Sequence, residues 1–502
     1  DKYMSHSEPK ELILAKQLID VCKLDDARQL LRNFEEKGGH TLHDIVLCHF
    51  LKCKLLLWQG LYEDLVKLAE QTYKESIGLG KNLLSVDIIL IIANALVEST
   101  PFMYSKTTDK LHDTIKQGEE LLKSFTQESP EDYKQREAYL AYIKGCFYNR
   151  RRNPKEADLA LKHLEHSLAL REELGIKHEI AESLIGMAWN LSVNKGELNR
   201  ALKYAERSLA LAKESSNIYY IAESLNVIAL VYSFKGELDR SIILFEQSLE
   251  LFKELNNKTR MAGALNNLSY DYKRRDELDR ALECIEQSMA LHREVGRLGF
   301  LANNYDFLIQ ILIDMGDIKR AQISLHDLEQ LNSQLKNKEL NTIYLLDKAL
   351  LLKTSLRARD RVKAEEIIKQ FLEEEDLNYE SRRGALLSLC ELILIELRIT
   401  NDLGVLDELN QFIARLLDIA EKSHSYSILC ETLLIQAKLA LISLNLEKAQ
   451  RLLTQGQKIA EKYGLSLLAR KISNEHDKLL KQLSMWENLK ESKASLNERM
   501  EL

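Results

Sequence analysis

Apolar and polar positions along this chain recur with the period of an α-helix, in short blocks of similar length. Leu244, Phe245, Leu249 and Leu251 form one apolar stripe, and Leu282, Ile285, Met289 and Leu291 repeat it in the next block. A short motif stands between the stripes. Gly196-Glu197-Leu198-Asn199-Arg200-Ala201 recurs as Gly236-Glu237-Leu238-Asp239-Arg240-Ser241, then as Asp276-Glu277-Leu278-Asp279-Arg280-Ala281. It returns once more as Gly316-Asp317-Ile318-Lys319-Arg320-Ala321, always 40 residues on. A constant period of this size predicts stacked helix pairs, because one pair cannot bury its apolar face alone.

Each part of the motif has a physical role. Gly236 closes the first helix of its unit, since glycine enters the left-handed region without a Cβ penalty. The acidic residue that follows complements the positive N-terminal end of the second helix. A small residue (Ala201, Ser241, Ala281 or Ala321) then sits where the two helices cross, and close approach leaves no room for more.

These residues resemble the tetratricopeptide repeat, with large, small and aromatic positions on helix A and small, aromatic and small positions on helix B. One unit carries Leu225, Ile228, Ala229, Tyr232, Ser241, Phe245 and Ser248. The next carries Leu265, Leu268, Ser269, Tyr272, Ala281, Ile285 and Ser288. The preceding unit has Leu184, Met187, Ala188, Leu191, Ala201, Ala205 and Ser208, with one extra residue in its turn. The later unit has Tyr305, Leu308, Ile309, Leu312, Ala321, Leu325 and Leu328. The phrase Ala264-Leu265-Asn266-Asn267-Leu268-Ser269 is similar to the kinesin-light-chain type, whose units also exceed the usual length of about 34 residues. The proline that the family places at the end of helix B is missing here.

The resemblance implies an all-α, right-handed superhelical solenoid of roughly eleven antiparallel helix pairs plus a C-terminal capping helix. Weaker helix-B starts appear at Asp25-Asp26-Ala27 with Leu31 and Phe34, at Gly60-Leu61-Tyr62, and at Ala160-Leu161. Another spans Lys106 to Phe125, after a longer loop around Pro101. Arg361 to Phe371 and Gly404 to Ile419 are degenerate, and the pattern sharpens again at Leu433, Ala437, Ala440, Ala449, Leu453 and Gly456. The chain therefore divides into divergent pairs over 1–130, well-formed repeats over 131–336, and degenerate repeats over 337–423, where a hinge stays open. A last pair and a polar capping helix fill 424–502.

Composition narrows the function. The net charge of −7 is a slight acidic excess, whereas a protein neutralising many phosphates carries a basic surplus, so no nucleic acid is expected. Arg150-Arg151-Arg152 is the only tight arginine run and reads as a solvated inter-helix loop. Seven scattered cysteines inside helical patterns read as reduced thiols packed as small hydrophobes, as in a cytoplasmic protein. The most apolar run, Ile88–Val97, is too short to span a bilayer, so no membrane partner is expected. The chain begins at Asp1 rather than Met, which leaves room for an effector domain beyond either end.

Chemistry is sparse. No phosphate-binding glycine loop, nucleophile elbow or zinc-protease motif occurs, so neither catalytic residues nor a cofactor are expected. His163 and His166 stand one helical turn apart, but Leu164 takes the core position and turns both outward. His40 and His43 flank the Gly38-Gly39 turn, and Glu373-Glu374-Glu375-Asp376 ends a helix facing solvent.

In the resembled family, helix A lines the concave face. With the leading apolar residue as position four, positions two, five, six, nine and twelve look into the groove. The candidate peptide-binding residues on these rows are Glu182, Trp189, Glu223, Asn226, Asn266, Asn267, Tyr270, Asn303, Asp306 and Gln310. An asparagine amide both donates and accepts, so it pairs with an extended backbone whatever the side chains. Asn266 and Asn267 equally suit bonds between neighbouring repeats. Trp189 and Tyr270 offer contact area with few rotamers to freeze, whereas Phe307 is expected in the core. Relatives that clamp a C-terminal carboxylate carry Lys or Arg at position two, where this chain has Glu182, Glu223, Gly263 and Asn303. A groove with Glu182, Glu223 and Asp306 instead prefers a neutral or basic segment. The expected function is a non-catalytic scaffold or adaptor that binds a protein or peptide segment. The alternative is a ligand-sensing arm of a larger signalling enzyme.

Overall fold

The structure is a computed structural model describing residues 8–80, 82–99, 105–125, 130–151, 154–336, 338–373, 379–400, 403–443 and 445–491. Pro101, Arg152, Glu374, Glu375 and Asp376 lie outside the described residues. Within them, eleven antiparallel helix pairs follow one another and a single long helix closes the chain.

The first four pairs are Lys10–Asp20 with Leu24–Lys37, Leu42–Trp58 with Tyr62–Ile77, Leu83–Ser99 with Ser105–Lys123, and Pro130–Arg150 with Pro154–Leu174. The next starts with Lys177–Trp189, which runs on as a π-helical turn over Asn190–Lys195 before Leu198–Glu214. Ile218–Lys235 with Leu238–Glu254, Lys258–Arg274 with Leu278–Glu294, and Leu301–Asp314 with Ile318–Leu335 complete the central block. Lys338–Lys353 with Ala358–Leu372, Tyr379–Thr400 with Leu406–Ser423, and Tyr426–Ile442 with Leu446–Lys462 lead to the last helix, Ser466–Glu491.

The motif does what its residues suggest. Ala201, Ser241, Ala281 and Ala321 are all fully buried at the helix crossings. Gly196, Gly236 and Gly316 have left-handed backbone, and so does Asp276, with φ of 64°. Asp276 holds this position without glycine's freedom, and its carboxylate binds Arg470 of the last helix at 2.7 Å. The extra residue of the Leu184 unit is taken up by the π-helical turn, whose wider winding admits it without breaking the helix. Of the acidic residues at the helix-B starts, only Asp317 caps through its side chain, to Arg320 N. Glu237 and Glu277 turn instead to Arg240 and Arg280 one helical turn on, at 2.8 and 2.7 Å.

Successive turns of the superhelix touch, and the contacts fall on helix starts. Asn217 caps Ile218–Lys235 by accepting from Tyr220 N at 3.0 Å. The same amide donates to Asp20 O at 2.8 Å, 197 residues earlier in the chain. Asn257 repeats the arrangement, accepting from Arg260 N at 2.9 Å and donating to Trp58 O at 2.8 Å, 199 residues back. Ser425 accepts from Ile428 N and donates to Phe234 O at 2.6 Å across 191 residues. These separations are close to five 40-residue units, so about five helix pairs make one superhelical turn. Glycine is needed where the turns press together: a Cβ on Gly60 would sit 2.7 Å from Asn257 Oδ1, and one on Gly196 would sit 2.5 Å from the Tyr379 ring.

The last helix keeps a polar outer face, with Lys471, Asp477, Lys478 and Lys481 exposed. It also leans back on the central repeats through Arg470, and the turn before it does so through Leu238 N donating to Tyr463 O at 3.4 Å. Ile88–Val97 lies in the buried helix Leu83–Ser99, and among the described residues no helix is long and apolar enough to cross a membrane. All seven cysteines are free thiols, six of them buried.

The double-duty caps carry a measurable share of stability. Asn257→Ala is expected to cost about 2 kcal/mol, roughly half for the cap and half for the bond to the previous turn. Asn445→Ala, which removes only the cap to Lys448 N, should cost about 1 kcal/mol. Urea denaturation of both variants measures the difference, and equal losses would contradict an inter-turn contribution.

Candidate functional site

The first helix of each central pair faces the superhelix axis, and its inward side chains border two connected spaces. The larger is a cavity of about 510 Å³. The smaller is a chamber of about 150 Å³ toward the N-terminal repeats. Trp189 and Asn226 line both and form the partition. Asn266, Asn267, Tyr270, Asn303, Asp306 and Gln310 line the cavity, while Glu182 and Glu223 line the chamber. Eight of the ten candidate residues thus line the cavity, and Glu182 and Glu223 line the chamber alone.

The rest of the charged lining includes residues outside the candidate set: Asp347, Arg383, Glu391, Glu431 and Lys471. Asp347, Arg383 and Glu391 sit on the degenerate repeats, where no leading residue sets the count, Lys471 sits on the last helix, and Glu431 stands two residues before Leu433 on the last pair. One signal was available in the sequence. Glu391 and Glu431 are isolated charges in otherwise apolar stretches of helix, whereas Asp347 is followed by Lys348.

Side chains in the cavity hold one another in a fixed order. Phe307, expected in the core, is only half-buried and stacks on Tyr270 with ring centres 5.1 Å apart. The reason is helix phase: the core positions beside it go to Leu308 and Ile309. Arg383 donates to the Tyr270 hydroxyl at 3.1 Å, and Arg274 lies over the same ring. Lys273 donates to Gln310 Oε1 at 2.8 Å, and Gln310 Nε2 donates onward to Asp306 Oδ1 at 2.5 Å. Burial works to raise the Glu391 carboxyl, but the Lys353 ammonium at 2.6 Å outweighs it and holds the group at about 2.

Asn266 is tied to the next repeat. Asn304 Nδ2 donates to Asn266 Oδ1 and to Ser288 Oγ, both at 2.9 Å. Asn304 Oδ1 must then accept, so the proton of His292 lies on Nδ1, 2.7 Å away. Burial presses the His292 imidazole down to about 4, against a weaker upward pull from Asn304.

The chamber is an ion-pair network. Glu182 accepts from Arg171 at 2.7 Å, and Arg171 also donates to Glu179 O and Ser183 Oγ. Arg260 lies 2.7 Å from Glu223 and 3.0 Å from Glu98, and Arg150 meets Glu98 at 3.1 Å. Glu182 and Glu223 are therefore neutralised from within rather than open to a ligand. Arg150 is a correction as well: it ends Pro130–Arg150 with its guanidinium in the chamber, not on a solvated loop. Arg151 pairs with Glu156. His163 stacks on Tyr148 and His166 faces Glu137. Among the described residues, no three potential metal ligands gather.

Residues 193–254 and 220–294 match the family described as the tetratricopeptide repeat. No curated protein matches the chain. Among solved structures, a Rap protein complexed with competence and sporulation factor is 16% identical with a TM-score of 0.57, covering 76% of this chain and 99% of that one. Aspartyl phosphate phosphatase F from Bacillus subtilis is 14% identical with a TM-score of 0.46, covering 82% and 95%. The apo form of the quorum sensor NprR from B. thuringiensis is 15% identical with a TM-score of 0.45, covering 74% and 98%. The match and the fold agree: tetratricopeptide repeats build an all-α solenoid here. The match does not single out the kinesin-light-chain type.

His292 gives stability a pH dependence. Folded His292 stays neutral to about pH 4, whereas the unfolded chain protonates it near 6.5. Its contribution is full above 6.5 and is lost as pH falls toward 4, by up to about 3 kcal/mol. His292→Gln keeps a donor for Asn304 but does not titrate, so its stability should fall less across this window. Denaturation curves at both ends of the window check this, and parallel losses in the two proteins would refute it.

Proposed function

We propose that this tetratricopeptide-repeat protein is a non-catalytic scaffold whose central cavity holds a segment of a protein or peptide partner. One observation carries the reading. Consecutive units deliver amides and aromatic rings onto one wall: Trp189, Asn226, Asn267, Tyr270, Asn303 and Phe307. A wall that repeats by the unit suits a ligand that repeats by the residue, and amides serve its backbone. The cavity falls within the range of roughly 300–1,000 Å³ typical of ligand sites, enough for a short extended stretch and too little for a folded domain. Asn226 Oδ1 is buried on this wall without a hydrogen-bond partner, ready for an incoming N–H. The charged groups of the chamber are held in structural pairs, which favours binding over acid–base chemistry. A neighbour of the same fold was crystallised with competence and sporulation factor, which supports a bound ligand as a use of such a solenoid. Seven free cysteines fit a reducing compartment, the cytoplasm.

The inter-turn contacts favour a second reading alongside the first. Because Asn257 and Arg260 tie the central block to Trp58 and Glu98, a ligand that changes the superhelical pitch is felt at both ends. That is how a sensing arm of a larger assembly would work.

The full chain, screened against a displayed peptide library, should select binders. Asn226→Ala should bind them roughly tenfold more weakly with an unchanged melting temperature, since the lost oxygen has no partner in the free protein. Trp189→Ala should weaken binding at least as much. Fluorescence anisotropy measures both, and undiminished affinity in the two variants would place the interface outside the cavity.

A further inference from the structure

Aromatic rings crowd the smaller chamber. Trp58, Tyr62, Tyr142, Trp189, Tyr219 and Tyr220 all line it, drawn from five helices. Trp58 meets Tyr219 and Tyr220 with ring centres 4.5 and 5.3 Å apart, the first tilted and the second edge-on. Tyr219 and Tyr220 also meet edge-on, at 5.4 Å. Rings in such a cluster offer both faces and edges, and a further ring can pack against either. The chamber measures about 150 Å³, and an apolar cavity of about that volume accepts one benzene ring.

Charge in the chamber is already balanced. Glu182 is paired with Arg171, Glu223 with Arg260, and Glu98 with Arg150 and Arg260. A charged ligand would have to break one of these pairs, whereas a neutral one leaves them intact. Outside the ion pairs, three buried side-chain atoms of the described lining residues have no hydrogen-bond partner: Trp58 Nε1, Asn94 Oδ1 and Asn226 Oδ1. Asn94 is 4% exposed, and its NH₂ is already given to the Tyr139 hydroxyl at 2.8 Å. The indole nitrogen only donates, and the two amide oxygens only accept. A phenyl ring would leave all three unanswered, and an indole would reach only the oxygens. A phenol joins a ring of the right size to a hydroxyl that both accepts and donates.

We propose that the chamber takes one phenol ring, the tyrosine side chain of the segment held in the cavity. The inference rests on the cavity being the peptide site. Trp189 and Asn226 border both spaces, so a segment lying along the cavity passes a side chain into the chamber between them. The ring joins the aromatic cluster, and its hydroxyl accepts from Trp58 Nε1 and donates to Asn94 Oδ1. Asn226 Oδ1, at the partition, is left for a backbone N–H of the segment. Trp58 and Asn94 stand about one superhelical turn before Arg260, which closes the chamber over Glu98, so the bound ring bridges two turns.

The test uses the full chain and a displayed library of random peptides, with the selected sequences resynthesised. Wild type should enrich peptides with Tyr at one fixed position, and replacing that Tyr with Phe should weaken binding roughly tenfold or more. Trp58→Phe keeps a ring in place and removes the donor. It should weaken the Tyr peptide but not the Phe peptide, so that the two bind alike. Asn94→Ala, which removes the acceptor, should behave in the same way and guards against a misfolded first variant. Equal weakening of both peptides in both variants would overturn the hydroxyl contacts and with them the inference. Peptides with Phe, Trp or His at the fixed position, or with no fixed aromatic residue, would overturn the inference and leave the peptide reading standing. Calorimetry with p-cresol separates the two sources of a phenol. Binding of p-cresol with no peptide selected would make a free phenolic compound the occupant and overturn both readings, and so would binding of neither.

Discussion

Buried asparagine amides at helix starts fix the geometry on which everything else depends. A helix leaves unsatisfied N–H groups at its start and unsatisfied carbonyls at its end, and neither can be buried unpaired without loss. Where two turns of the superhelix meet, both kinds would be buried at once. Asn217 and Asn257 serve them together, the oxygen capping one helix and the NH₂ meeting a carbonyl nearly 200 residues away. Both side chains are fully buried, so water cannot substitute. The close approach that these bonds need also explains the glycines at 60 and 196. With about five units per turn, the concave face is rolled into a partly enclosed cavity.

Enclosure sets the chemistry inside. In the chamber, charges from units far apart in sequence neutralise one another, with Arg260 between Glu223 of its neighbour and Glu98 of the preceding turn. Such pairs gain from low dielectric only when every partner is present, so they tie the N-terminal repeats to the central ones. The larger cavity is different. Its wall carries amides and aromatic rings, and Asn226 Oδ1 is buried there without a hydrogen-bond partner.

Much of this was legible in the sequence because it depends on local period alone. The 40-residue recurrence predicts the eleven pairs, and a residue's offset from the leading apolar position fixes its side of helix A. That is why Trp189, Asn226, Asn267 and Gln310 all reach the inner wall. What depends on the superhelical pitch was not legible. The pairing of Glu223 with Arg260 spans adjacent units, but Glu98 with Arg260 spans 162 residues, and no local pattern announces it. Arg150 looked like part of a loop for the same reason. That Asp347 and Glu391 line the cavity was missed because the repeats carrying them have lost the spacing that allows counting. The π-helical turn after Trp189 showed in advance only as one residue too many.

The central claim is that three buried caps set the pitch and thereby close the cavity. Small-angle X-ray scattering of a combined Asn217→Ala, Asn257→Ala and Ser425→Ala variant tests it most directly, with circular dichroism as a check on helix content. The account predicts a longer particle with a larger radius of gyration while helicity stays near that of wild type. An unchanged radius of gyration at unchanged helicity would contradict it.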